Sequence, residues 1–197
     1  TAVDISRDHL RNSAEALAQT FPAIEIAAIC ADYTRPFEVP PPSARTHAKR
    51  VGFFPGSTIG NFTPTEATEF LEISTGLLDG GDFVIGVDLK KDTERLTAAY
   101  NDAEGITAAF NLNLLVRINR ELHCDFDIDA FEHRAHYDPQ KGRIEMHLVS
   151  RHAQSASIDN HRFNFLKDET IHTESSYKYG IEEFQEIATN AGYQALD

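Results

Sequence analysis

The residues best suited to chemistry stand where apolar runs end. The segment Gly56-Ser57-Thr58-Ile59-Gly60-Asn61-Phe62 follows directly on Arg50-Val51-Gly52-Phe53-Phe54. Two glycines and small hydroxyl residues let the backbone approach a ligand, and Asn61 can both donate and accept. Such a turn can hold an ammonium and a carboxylate together; the competing reading is an ordinary strand-to-helix loop whose asparagine bonds its own backbone. Asp4, Asp32 with Tyr33, and Asp88 occupy similar places. In open α/β sheets ligands gather beyond the carboxyl ends of the strands. There Asp4 can accept from ribose hydroxyls or cap a helix. Asp32 can accept from an adenine amino group, with Tyr33 near the ring, or simply hold a turn.

The elements that must position these residues alternate through the first half. Residues 2–6 read as the tail of a buried strand, and Ser6 or Asp8 can cap a helix with apolar positions Leu10, Ala14, Leu17 and Ala18. Phe21-Pro22 ends it. Residues 23–31 form a nearly continuous apolar run, expected as a strand buried on both faces. Residues 36–42 are a proline-rich loop, 50–54 a third strand, and 82–89 a fourth. Between the last two, Thr63 and Glu66 suit a capping box opening a helix to about Leu78. This rhythm predicts a parallel sheet flanked by helices.

The second half changes character. Helical spacing returns at 93–100 and 105–122, followed by alternating runs at 131–137, 142–150 and 155–165 that suit antiparallel strands, then a helix at 181–191. The expected division is 1–92, a partial α/β core; 93–180, an α+β extension; and 181–197, a return to the core.

Composition excludes several functions. Of 197 residues, 41% are hydrophobic, too many for a disordered chain, and the formal net charge is −13. That acidity argues against nucleic acid and against an anionic membrane surface, both of which need clustered Lys and Arg. The two cysteines, Cys30 and Cys124, are far apart, which suits a reducing, cytoplasmic setting and no zinc site. The nine histidines lack metal spacing, and a solvated strand face accounts for His133, His136 and His147.

Six segments, in order, resemble the histidine-specific Nα-methyltransferases of ergothioneine biosynthesis. They are Phe53-Phe54-Pro55-Gly56-Ser57-Thr58-Ile59-Gly60-Asn61-Phe62, Ala99-Tyr100-Asn101-Asp102, Gly105-Ile106-Thr107-Ala108-Ala109-Phe110-Asn111, Ile118-Asn119-Arg120-Glu121-Leu122, Ile144-Glu145-Met146 and His172-Thr173-Glu174-Ser175-Ser176-Tyr177-Lys178. The resemblance implies a Rossmann-like class I core, α/β and incomplete at both ends, with a small α+β substrate-binding extension. It implies S-adenosyl-L-methionine as cofactor and L-histidine as acceptor, methylated at the α-amino nitrogen up to the trimethylated betaine hercynine. Asp4 would hold the cofactor's ribose, and Asp32 with Tyr33 its adenine. Gly56 and Asn61 would meet the acceptor's amino group and carboxylate, and Tyr100 would bond that carboxylate. Phe110 and Met146 would line the side-chain pocket; Glu174 and Ser176 would bond the imidazole. No residue is assigned acid–base chemistry, because the sulfonium methyl is already electrophilic and alignment is the main task. Without the resemblance, Phe110 and Met146 read as core packing, and Glu174 and Ser176 as a solvated polar turn.

The chain departs from the family pattern in opening on Thr1, downstream of the first strand and Gly-rich cofactor loop, and it is read as a fragment inactive by itself. Two other readings stay open. One keeps the chemistry but takes tryptophan or another indole amine as acceptor, against which Glu174 leans. The other makes the chain a non-catalytic binding or assembly module, whose uncovered sheet edges are expected to self-associate.

Overall fold

The computed structural model describes residues 1–41, 49–159 and 161–196, so that Pro42 of the proline-rich loop lies outside the described residues. Two compact units divide the chain: Thr1–Ser57, Thr63–Gly86 and Glu182–Asp197 form the first, Thr58–Phe62 and Val87–Ile181 the second.

The first unit is built on parallel strand pairs, each joined through a helix as parallel pairing requires. Strand β1 (Ala2–Asp4) pairs with β2 (Ala28–Cys30) across helix α1 (Arg7–Thr20). Strand β3 (Val51–Phe54) pairs with β4 (Asp82–Ile85) across helix α2 (Pro64–Leu78). Ser6 is the N-cap of α1, but Asp4 Oδ1 accepts its backbone N–H at 2.7 Å, and of the expected apolar face only Leu10 is buried. The run at 23–31 is not the doubly buried strand its composition predicts: only Ala28–Cys30 is extended, and Ala28 and Cys30 are exposed. Likewise the run at 82–89 pairs as a strand only to Ile85. An aromatic cluster holds the unit. Phe54 and Phe70 lie 4.7 Å apart, with Tyr33 edge-on to both and Phe83 beside them. Tyr193, beyond helix α5 (Ile181–Asn190), stacks on Phe83 and shares a 2.6 Å hydrogen bond with Ser74. Gly52 permits this packing, since a Cβ there would sit 2.4 Å from the Phe83 ring.

The second unit is α+β. Strands β5 (Phe131–Asp138), β6 (Arg143–Ser150) and β9 (Thr170–Tyr177) form an antiparallel sheet in the order β5-β6-β9. Strands β7 (Gln154–Ile158) and β8 (His161–Phe165) form a separate hairpin where one strand was expected over 155–165. Helix α3 (Thr93–Tyr100) and helix α4 (Ile106–Leu122) fall within a residue of their expected limits. Two apolar clusters hold the unit: Leu115, Phe126, Phe131, Leu148 and Ala156 in one, Leu96, Ala135, Ile144 and Met146 in the other.

Polar side chains stitch the helices to the sheet. Asn101 Nδ2 donates to Ala135 O at 2.9 Å while its Oδ1 accepts from Ala135 N at 3.1 Å. Asp102 accepts from the backbone of Ile106 and Thr107, which starts α4; the Thr107 hydroxyl together with these backbone donors holds its carboxyl down at about 2. Asn119 makes the same two-way bond with the backbone of Phe126.

Helix α2 begins with the expected capping box: Glu66 N donates to Thr63 Oγ1 at 3.3 Å, and Thr63 N donates to Glu66 Oε2 at 2.8 Å. Replacing Thr63 by Ala strands one of these donors, so T63A is expected to lose about 1 kcal/mol in urea unfolding, and T63S to lose much less.

Candidate functional site

The first unit carries the carboxylates at its strand ends. Asp4 closes β1, and its backbone O accepts from Ala31 N at 3.2 Å, which brings the ends of β1 and β2 side by side. Its second carboxylate oxygen has no partner among the described residues. Asp32 organises a turn: Oδ1 accepts from Thr34 N and Thr34 Oγ1, at 3.0 and 2.6 Å, and Oδ2 faces the exposed Arg35 at 3.4 Å. Those bonds hold its carboxyl below the usual range. The Tyr33 phenol is pushed up by burial and by the neighbouring Asp4 and Asp32 charges, so tyrosine and carboxylates form one local group. A carboxylate oxygen open to a donor, a second carboxylate and a phenol ring suit a ligand that offers hydroxyl or amino groups. A broader groove of the unit is lined by Val3, Phe37, Phe54, Phe70, Phe83 and Tyr33; neither carboxylate lines it.

Gly56 has φ +76°, open space where a Cβ would stand, and is followed by Ser57 at φ +60°. Two successive left-handed residues bend the chain sharply after β3, and a serine there is unusual enough to mark a constrained turn.

The second unit gathers a polar group on the buried face of its sheet. Gly60 and Asn61 belong to the 3₁₀ turn Thr58–Asn61. Gly60 is buried against β9: a Cβ there would lie 2.7 Å from Tyr177 O and 3.5 Å from Ser176 Oγ. Asn61 is exposed, and its amide bonds nothing among the described residues, so it is not an asparagine that merely ties its own loop. Tyr100, at the end of α3, donates its O–H to Ser176 Oγ at 3.0 Å. Glu174 pairs in register with Met146, and Ser176 with Ile144, which places Glu174 and Ser176 on one face of β9. They lie on a strand and not in a solvated turn. Burial pushes the Glu174 carboxyl up, with Lys178 pulling the other way. Met146 is buried beside Tyr100. Phe110 is 65% exposed on α4, which rules out core packing.

Lys178 was not singled out from sequence. Its ammonium is buried and donates to Ser176 Oγ at 2.7 Å and Tyr100 Oη at 2.9 Å, with Asp88 Oδ2 at 3.2 Å. Asp88, noted as a strand-end residue, is thereby its counter-ion. The signal was available only as a lysine following an alternating polar strand. His133 also departs from expectation: Asn111 Nδ2 donates to its Nδ1 at 2.9 Å, which leaves Nε2–H to donate to Tyr100 O at 2.8 Å. It holds the backbone of Tyr100 instead of facing solvent.

The opposite face carries His136, Glu145 and His147, with ligand-type atoms within 4.8 Å of one another. Lys141 Nζ and Arg143 Nε each donate to Glu145 Oε1 at 2.9 Å, and His147 Nε2 lies 3.2 Å from Oε2. The carboxylate is thus already compensated by two cations, and Arg143, Lys141 and His147 hold its carboxyl down at about 2.

The family model described as histidine-specific methyltransferase, SAM-dependent, matches residues 1–197. The chain belongs to that family. It is 42% identical over 193 residues to the histidine N-alpha-methyltransferase of Mycolicibacterium smegmatis, covering 96% of this chain and 59% of that protein. It is 38% identical over 179 residues to the histidine N-alpha-methyltransferase of Mycobacterium tuberculosis, covering 89% and 54%. The chain therefore spans somewhat more than half the length of these relatives. Among solved structures it is similar to the CcbJ methyltransferase from Streptomyces caelestis, at 14% identity and a TM-score of 0.47, covering 96% of this chain and 61% of that one. Among the described residues no helix is long and apolar enough to cross a membrane.

Two outcomes follow. Gly60→Ala forces a Cβ onto Tyr177 O, so it is expected to cost about 1–3 kcal/mol in unfolding experiments. The stability contributed by the ion-paired Glu145 is complete above its ordinary value of 4.5 and is lost as pH falls from there to about 2. Glu145→Gln is expected to lower stability near neutrality by roughly 1–3 kcal/mol and to flatten that acid loss, read from urea midpoints across pH.

Proposed function

We propose that this chain is the greater part of an S-adenosylmethionine-dependent N-methyltransferase acting on the α-amino group of L-histidine, through as many as three transfers. The observation that carries the reading is the match of all 197 residues to a histidine-specific family. The polar face of β9 agrees with it: a half-buried carboxylate beside a hydroxyl suits a side chain that can both donate and accept.

In this reading the cofactor supplies an electrophilic methyl group, and the protein binds and orients. Asp4 accepts from the ribose; Asp32 and Tyr33 take the adenine. Gly56 and Asn61 receive the acceptor's amino group and carboxylate; Tyr100, for which the resemblance implies a bond to that carboxylate, gives its one proton to Ser176 Oγ and so serves the ring-binding end of the site. Phe110 and Met146 flank the side chain, while Glu174 and Ser176 bond its ring. Gly56, with open space where a Cβ would stand, leaves room for a nitrogen that grows with each transfer. As a division of the chain, 1–92 and 181–197 form the core, whose Gly56 and Asn61 also reach the acceptor, and 93–180 forms the substrate-binding extension. A cytoplasmic setting agrees with two unpaired cysteines.

The test is methyl transfer by the full natural protein with L-histidine or L-tryptophan, followed by mass spectrometry. Methylated histidine in excess over methylated tryptophan is expected, and absence of any histidine product would sink the reading. Glu174→Ala is expected to raise the KM for histidine at least about tenfold, the loss of one charge-assisted hydrogen bond, while leaving S-adenosylhomocysteine affinity within about twofold.

A further inference from the structure

The buried group around Lys178 has a definite hydrogen-bond polarity. An ammonium only donates, so Tyr100 Oη and Ser176 Oγ must each accept from Lys178 Nζ, at 2.9 and 2.7 Å. Its third donor turns to the Asp88 carboxylate, which also holds Lys91. Having accepted from Lys178, Tyr100 gives its own proton to Ser176 Oγ at 3.0 Å. Ser176 Oγ therefore receives two hydrogen bonds, and a hydroxyl oxygen has two lone pairs. Both are filled. What remains is its single O–H, which has no recipient among the described residues.

Two positions back on the same face stands Glu174, whose carboxylate accepts. Alternate residues of a strand are about 7 Å apart, a span that a five-membered ring covers with a hydrogen bond of about 3 Å at either end. The site then presents one fixed donor and one fixed acceptor. Its complement is a ring bearing one N–H and one nitrogen lone pair: a neutral azole in a single tautomer. An imidazolium would aim an N–H at the Ser176 O–H, and an indole has no ring lone pair to receive it.

We propose that Lys178 is a positioning residue which, by filling the lone pairs of Ser176 directly and through Tyr100, makes that hydroxyl an obligate donor, so that the site takes the acceptor's imidazole uncharged. This rests on histidine being the acceptor. Among the described residues the titratable groups around Lys178 and Ser176 include Tyr100 from α3, His133 of β5 against the Tyr100 backbone, Asp88 with Lys91 from the segment after β4, and Glu174 on β9 itself.

The experiment is calorimetry on the full natural protein saturated with S-adenosylhomocysteine, titrated with L-histidine at about pH 8 and about pH 5.5. Free imidazole changes charge near pH 6.5, so the wild type is expected to bind histidine about tenfold more weakly at the lower pH. The probe 3-(1,2,4-triazol-3-yl)alanine, whose ring stays uncharged throughout, reports any change in the rest of the site, and its affinity is expected to hold within about twofold. Lys178→Met frees a lone pair on Ser176, and the tenfold ratio for histidine is expected to shrink to about twofold or less. Should that variant fail to fold, as circular dichroism would show, Ser176→Ala serves instead: it removes the donor, keeps the Lys178–Tyr100 contact, and is expected to shrink the ratio equally. A wild-type ratio within twofold, or a tenfold ratio that survives in the folded variant, overturns the proposal. Absence of histidine binding at either pH would instead overturn the assignment of the acceptor.

Discussion

A lysine ammonium with almost no access to water needs an acceptor for each of its three protons, and the second unit is arranged around supplying them. Lys178 draws on the end of α3 through Tyr100, on the strand it follows through Ser176, and on the segment after β4 through Asp88. The backbone locks the same place: Lys178 N donates to Gly142 O at 2.8 Å, and Tyr179 N donates to Asp88 O at 3.1 Å. Removing any acceptor would leave a buried charge partly uncompensated, which costs far more than the lost bond is worth. The end of β9 is therefore held by an electrostatic requirement as well as by packing.

That requirement explains the division of labour within the family's segments. In Ala99-Tyr100-Asn101-Asp102, only Tyr100 reaches the polar group; Asn101 ties the chain to β5, and Asp102 starts α4. Asn119 in the 118–122 segment does similar stitching. Met146 packs on the buried face of β6, whereas Glu145 on the other face belongs to an ion-paired cluster. Short polar motifs here are mixtures of ligand-facing residues and the side chains that fix their backbone. Gly60 belongs to the second kind, since it lets the 3₁₀ turn touch the β9 backbone.

Elements whose reasons are local were legible in the sequence. The capping box at Thr63, the limits of α3 and α4, and the β5 and β6 runs follow from capping chemistry and periodicity within a few residues. Strand β9 was read only as a motif. Its alternation is hidden because both faces are polar, one carrying Glu174 and Ser176, the other His172 and Ser175. The run at 23–31 failed for the opposite reason: apolar composition predicts burial, but pairing over only three residues leaves part of it exposed. Lys178 could not be found by pattern at all, because its partners come from positions 88, 100 and 176 and meet only in the fold.

A carboxylate at Glu174 selects a ring that bears an N–H and can become cationic, which leans toward histidine over an indole. The N–H taken by itself would also admit an indole, since it too offers one. The hydroxyl of Ser176 separates them, because its lone pairs are occupied and its proton needs an acceptor that an indole ring nitrogen cannot provide. Buried polar groups left unpaired by a wrong ligand discriminate by several orders of magnitude, whereas a mismatch of apolar shape gives roughly 10–200-fold. On the proposed reading, discrimination against indoles arises mainly from the unsatisfied donor, with Met146 and Phe110 contributing shape.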